Sequence, residues 1–118
     1  MIQVKRIYNP ISQDDGYRIL VDRLWPRGIS KEKAHLDEWL KEIAPSNELR
    51  IWFHQDPTHR QEEFCLRYQT ELTHSPEKQT LLEKITLLSK EQTVTLLYAS
   101  KDTEHNHALF LLNYLQKS

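Results

Sequence analysis

Two strand-forming stretches, the unbroken apolar run Ile19-Leu20-Val21 and the β-prone segment from Thr93 to Ala99 (TVTLLYA), constrain this chain more than any other feature. A strand with one wet face alternates apolar and polar residues, whereas an uninterrupted run is the pattern of a strand covered on both faces. The connection from Leu24 to Thr93 is long enough to hold helical crossovers, which place two such strands parallel. A third strand is expected at the amino terminus, where Ile2, Val4 and Ile7 precede Asn9-Pro10. Its link to the second strand, Asn9 to Tyr17, is shorter than the usual parallel crossover of about a dozen residues, so either a hairpin or a shortened crossover fits. At 118 residues the chain has room for one core. The expectation is a single α/β domain over residues 1–118, a small three-layer sandwich with a short, mainly parallel sheet flanked by helices.

The helices announce themselves by their starts. Ser30 precedes Leu36, Trp39, Leu40 and Ile43, spaced i, i+3, i+4, i+7, which predicts an amphipathic helix ending before Pro45. Ser46 or Asn47 can cap a short helical turn carrying Leu49, Trp52 and Phe53. Asp56-Pro57 and Ser75-Pro76 open two longer helices, because the oxygen side chain accepts from free amides while proline at the first helical position loses nothing. Phe64, Tyr68 and Leu72 mark the buried stripe of the first, and Leu81, Leu82, Ile85 and Leu88 that of the second. Ser100 or Asp102 is the expected cap of a final helix buried through Ala108, Leu111, Leu112 and Leu115.

Composition removes several function classes. Sixteen Lys+Arg against seventeen Asp+Glu give no overall field toward nucleic acid or an acidic membrane. Two glycines, Gly16 and Gly28, are too few for a Walker loop or a G-x-G-x-x-G turn. Cys65 is the one cysteine, so no internal disulfide or Cys-rich zinc site forms, and beside Phe64 it reads as a buried, inert thiol. No run approaches the ~20 apolar residues of a membrane span. The amino terminus lacks a signal-peptide core, and a cytoplasmic setting is expected. The histidines show no zinc spacing: His105 and His107, two apart, point to different sides of a helix. No metal is assigned, and no cofactor is specified.

Ligands in open α/β sheets collect beyond the carboxyl ends of strands. The second strand leaves through Asp22-Arg23-Leu24-Trp25-Pro26-Arg27-Gly28, and the last through Ser100-Lys101-Asp102-Thr103-Glu104-His105-Asn106. Residues 1–31 carry Lys5, Arg6, Arg18, Arg23, Arg27 and Lys31 against Asp14, Asp15 and Asp22, a local surplus of three positive charges that suits an anionic ligand. Arg23 and Arg27 can present planar forks to phosphate or carboxylate, Trp25 can stack, and Lys101 can add charge, with Asp22 and Asn106 completing the binding set. Asp102 and His105 are the acid/base candidates. The structural alternative pairs Arg23 with an acid such as Asp22, packs Trp25 at the core edge, leaves Arg27 in water and uses Asp102 as a helix cap.

The segments DDGYRILVDRLWPRGISKEKA (14–34), LDEWLKEIAPSNELRIWFHQDP (36–57), EEFCLRYQTEL (62–72) and VTLLYASKDTEHNHA (94–108) resemble the YeaO-like branch of the bacterial and archaeal domain-of-unknown-function family 488. The resemblance covers most of the chain and implies a small α/β domain without an assigned reaction. It carries over at Asp22, Arg23, Trp25, Pro26, Arg27, Gly28, Trp39, Trp52, Phe53, Asp56, Pro57, Lys101, Asp102, Glu104, His105 and Asn106. Two departures matter. Related members often read W-F-x-H-D-P where this chain has Trp52-Phe53-His54-Gln55-Asp56-Pro57, and wider relatives carry Cys-His-Arg where it has Asn106-His107-Ala108, so no cysteine mechanism transfers.

Three functions follow for comparison. One is a domain, with a hydrolase or a transferase as its enzymatic form, that binds a small anionic, nucleotide-like or phosphorylated ligand between the two strand exits. Another is a non-catalytic module contacting protein or nucleic acid through Trp25, Trp52 and the basic amino-terminal face. In the third, the exits form an internal network that only holds the fold.

Overall fold

The computed structural model describes residues 1–117. Four strands, β1 (Ile2–Arg6), β2 (Tyr17–Leu20), β3 (Glu38–Trp39) and β4 (Val94–Tyr98), form one sheet in the order β1-β4-β2-β3 with every pair parallel. Five helices accompany it: α1 (Lys31–Ala34), α2 (Asn47–His54), α3 (Pro57–His74), α4 (Pro76–Glu91) and α5 (His107–Lys117). β4 is buried at every residue, Ile2↔Val94 to Arg6↔Tyr98 on one side and Tyr17↔Val94 to Leu20↔Leu97 on the other. The short link between β1 and β2 is therefore a shortened crossover, not a hairpin, made of a loop and one 3₁₀ turn at Gln13–Asp15.

The two faces of the sheet are built differently. Ile19, Val21, Leu96 and Tyr98 point into the main core with Tyr68 and Leu72 of α3, Leu82 and Ile85 of α4, and Leu111 and Leu115 of α5. Leu20 and Leu97 point the other way, into a smaller cluster with Ile7 and Ala34, over which Trp25, Ile29, Leu36 and Trp39 pack. Tyr68 is fully buried and its hydroxyl donates to the Ile43 carbonyl at 2.7 Å, so a polar atom inside the core is satisfied.

The remainder of the second face is polar and buried. Asp15 accepts from Lys5 Nζ at 3.0 Å, from the Ser12 amide at 3.0 Å and from Arg18 Nη1. Arg18 also donates to the Ala34 and His35 carbonyls at 3.0 and 3.1 Å, closing the turn after α1. Gly16 makes the tight approach possible: its φ is +61°, and a Cβ there would sit 2.2 Å from the Thr93 carbonyl oxygen.

Two expectations fail. The stripe Leu36, Trp39, Leu40, Ile43 is not one helix, because the chain stops at α1, turns through left-handed His35 and runs beside β2 as β3. The Asp37 amide donates to Arg18 and the Leu40 amide to Leu20, both at 2.9 Å, and Tyr17 and Lys84 clasp Glu38. Sheet pairing thus outcompetes a helix in a segment whose apolar residues serve both faces, Trp39 on one and Leu40 on the other. Likewise neither Ser100 nor Asp102 caps α5. The helix starts at His107, and Asn106 Oδ1 accepts from the Leu109 amide at 2.9 Å. By contrast, Ser46 and Ser75 cap α2 and α4 as the sequence indicates, whereas Asp56 precedes α3 without a side-chain cap bond because its carboxylate pairs with the His59 ring.

Burial pushes the Asp15 carboxyl up, but the Ser12 amide and the Lys5 and Arg18 partners outweigh it, and the group ionises below its ordinary value. A carboxyl depressed in the folded state contributes stability that is complete above the unfolded value of about 4 and is lost as pH falls through the folded one. Asp15→Ala is expected to cost about 3–5 kcal/mol at pH 7 in urea unfolding, since Arg18 is left buried without its carboxylate. The variant should also lose part of the wild-type decline in stability below pH ~4. An unchanged midpoint at pH 7 contradicts this account.

Candidate functional site

Beyond the carboxyl ends of β2 and β4 the structure has a cavity of about 480 Å³, within the range of small-molecule sites. The β2 exit enters it through Asp22, Arg23 and Leu24, and the β4 exit through Ser100 and Glu104 to His107. All three phenylalanines of the chain line it: Phe53 from α2, Phe64 from α3 and Phe110 from α5. Their rings continue through Tyr68, with centroids at 4.5 Å for Phe53–Phe64, 5.9 Å for Phe64–Tyr68 and 5.3 Å for Tyr68–Phe110. These contacts are half core packing and half wall, which is why each phenylalanine is only partly buried.

Asp22 ties the two exits together. Its Oδ2 accepts from the Ala99 amide at 3.0 Å, and its Oδ1 lies 3.1 Å from His107 Nε2, which also sits 2.9 Å from the Val21 carbonyl oxygen. One carboxylate thereby grips both ends of the loop 99–107. Between those anchors the loop is folded on itself: Asp102 Oδ1 accepts from the amides of Glu104 and His105 at 3.0 and 2.9 Å, and Asn106 Nδ2 donates to the Asp102 carbonyl at 3.0 Å. The two amides hold the Asp102 carboxyl below its ordinary value.

Of the residues singled out from the sequence, Asp22, Arg23, His105 and Asn106 converge on the cavity, and Trp25, Arg27, Lys101 and Asp102 do not line it. Arg23 donates to the Pro45 and Ala44 carbonyls at 3.0 and 3.4 Å and lies 3.9 Å from Glu42, so much of its fork is spent on the chain itself. Trp25 turns to the opposite face of the sheet, packs edge-on against Trp39 at 5.3 Å and donates its indole N–H to the Ile29 carbonyl at 2.7 Å. Apolar cover for Leu20 and Leu97 accounts for that choice. Arg27 and Lys101 are exposed outside the cavity, and Asp102 is occupied as a turn cap. His105 stands at the rim, its side chain 56% exposed, with Nδ1 3.4 Å from Asp102 Oδ2.

Arg50, His54, Cys65 and His107 also line the cavity, although the sequence assigns none of them to the site. Cys65 is exposed rather than buried, and partial desolvation by its neighbours on the cavity wall raises its thiol above the ordinary value, away from a reactive thiolate. His107 faces Asp22 at ion-pair distance, and its hydrogen bond goes to the Val21 carbonyl. The available signal was the acid directly after Ile19-Leu20-Val21, which demands a donor without saying where in the chain it lies. No three metal-ligating side chains come together among the described residues, and none of the described helices is long and apolar enough to cross a membrane.

Removing the Asp22 carboxylate should free both loop anchors. Asp22→Ala is expected to lose about 1–3 kcal/mol in urea unfolding, and hydrogen exchange of residues 99–107 should accelerate more than that of β1. Unchanged exchange in that loop would contradict the assignment.

The family described as the inactive DUF488-N3 subclade matches residues 1–118. The uncharacterized protein YeaO of Escherichia coli (strain K12) is 50% identical over 116 residues, 98% of this chain and 96% of its own length. The uncharacterized proteins Rv3073c of Mycobacterium tuberculosis and Mb3100c of Mycobacterium bovis are each 40% identical over 114 residues, 97% of this chain and 92% of theirs. No solved structure matches significantly.

Proposed function

The chain belongs to the DUF488 family, in the subclade described as inactive, and from that premise we propose that it binds a small nucleotide-like ligand in the cavity without converting it. The observation that carries this reading is the convergence of all three phenylalanines on one 480 Å³ space at the carboxyl ends of β2 and β4. Flat aromatic walls suit a heteroaromatic ring, and Arg50, His54 and His105 on the cavity lining suit its anionic end. Binding without turnover agrees with the family description and with Asp102, which lies outside the cavity lining and spends one carboxylate oxygen on the Glu104 and His105 amides while the other pairs with His105 at the rim. A cytoplasmic setting belongs to the same reading and rests on the single cysteine. The alternative, a macromolecule contacted through Trp25, loses support because that ring is spent on Trp39 and Ile29.

A thermal-shift panel of nucleosides, nucleotides and sugar phosphates tests the proposal. A ligand at a hundredfold excess over its Kd adds about 2.7 kcal/mol, which raises Tm by several degrees. The rise should vanish in Cys65→Trp, which plugs the cavity from its wall. If no panel member raises Tm, or if the plugged variant responds as the wild type does, the proposal is wrong.

A further inference from the structure

We propose that His107 presents a hydrogen-bond acceptor to the cavity and thereby selects an uncharged heteroaromatic ring that carries a ring N–H, the lactam edge of a nucleobase such as that of uridine or inosine. This rests on the cavity reading above and narrows its ligand class.

The argument starts from which ring nitrogen holds the proton. His107 Nε2 lies 2.9 Å from the Val21 carbonyl oxygen and 3.1 Å from Asp22 Oδ1. A carbonyl and an ionised carboxylate only accept, so the nitrogen between them is the donor. In the neutral imidazole the lone pair then belongs to Nδ1. That nitrogen has no hydrogen-bond partner among the described residues, and His107 lines the cavity. Tyr68 fixes the ring plane from below, edge-on at 73° with centroids 6.4 Å apart, and its own hydroxyl is committed to Ile43.

The neighbouring groups narrow the choice further. Asp22 Oδ2 serves the Ala99 amide, and Oδ1, which makes no hydrogen bond, is buried beside His107 and shielded from the cavity. Arg23 is drawn off to the Pro45 and Ala44 carbonyls. Beside the aromatic walls, His107 thus offers the ring an accepting nitrogen, while Arg50, His54 and His105 elsewhere on the lining are left for an anionic end. A ring N–H facing Nδ1 satisfies both partners, whereas an N-methyl group leaves the nitrogen unpaired and intrudes on it.

Titration calorimetry at pH 8 decides the matter with uridine against N3-methyluridine and inosine against N1-methylinosine. The wild type is compared with His107→Gln, whose amide can donate to Val21 and keep an oxygen for the ligand, and with His107→Leu, which can do neither. At least one parent nucleoside is expected to bind about tenfold or more tightly than its methylated partner, in the wild type and in His107→Gln. The preference should disappear in His107→Leu. Equal binding of parent and methylated nucleosides overturns the inference and leaves the cavity reading standing, as does discrimination that survives in folded His107→Leu. Binding of nucleotides without nucleosides has the same consequence. If neither class binds the wild type, the cavity reading fails and takes this inference with it. Should His107→Leu not fold, the methylated pairs on the wild type and His107→Gln still decide.

Discussion

β4 lies between two parallel neighbours and is buried along its whole length, so every polar atom it or its exits carry has to find a partner inside the fold. At its start, Thr95 donates its hydroxyl to the Asp15 carbonyl at 2.6 Å, and the Thr93 carbonyl approaches Gly16 so closely that only glycine fits. At its end, the Ala99 amide is met by Asp22 from the neighbouring strand. The same constraint that buries β4 therefore draws the β2 and β4 exits together and sets the floor of the cavity.

The two faces of the sheet divide the labour. Helices α2 to α5 supply a deep core on one face, and that core stops short of the carboxyl ends of the strands, leaving the phenylalanine-lined space. The other face has only α1 and a few large side chains to cover it, and Trp25 and Trp39 are spent there. A tryptophan in the β2 exit that looks like a stacking platform is in this fold a lid over Leu20 and Leu97. The stacking surface is made instead by phenylalanines that looked like core.

Much of the architecture was legible because local physics and global fold agree. The apolar runs around Leu20 and Leu96 gave the central strands, and the Ser/Asp-Pro starts gave α3 and α4. The segment 36–43 departs from its pattern because its spacing fits a helix while its residues serve opposite faces of a sheet edge, which no periodicity reveals. At the site, Asp22 and Arg23 were legible as polar residues at a strand end, and His105 and Asn106 as polar residues at the other exit. His107 was not, because its partners Val21 and Asp22 lie at the far end of the chain and only the closed sheet brings them near.

The central claim is that a ring enters the space between Phe53, Phe64 and Phe110. Because these are the only phenylalanines in the chain, fluorophenylalanine labelling places every fluorine on the cavity wall, and a ¹⁹F NMR titration with a nucleoside that binds reads that wall alone. The account predicts that all three resonances shift with one common saturation curve. Saturable binding that leaves all three unmoved would place the ligand elsewhere and contradict it.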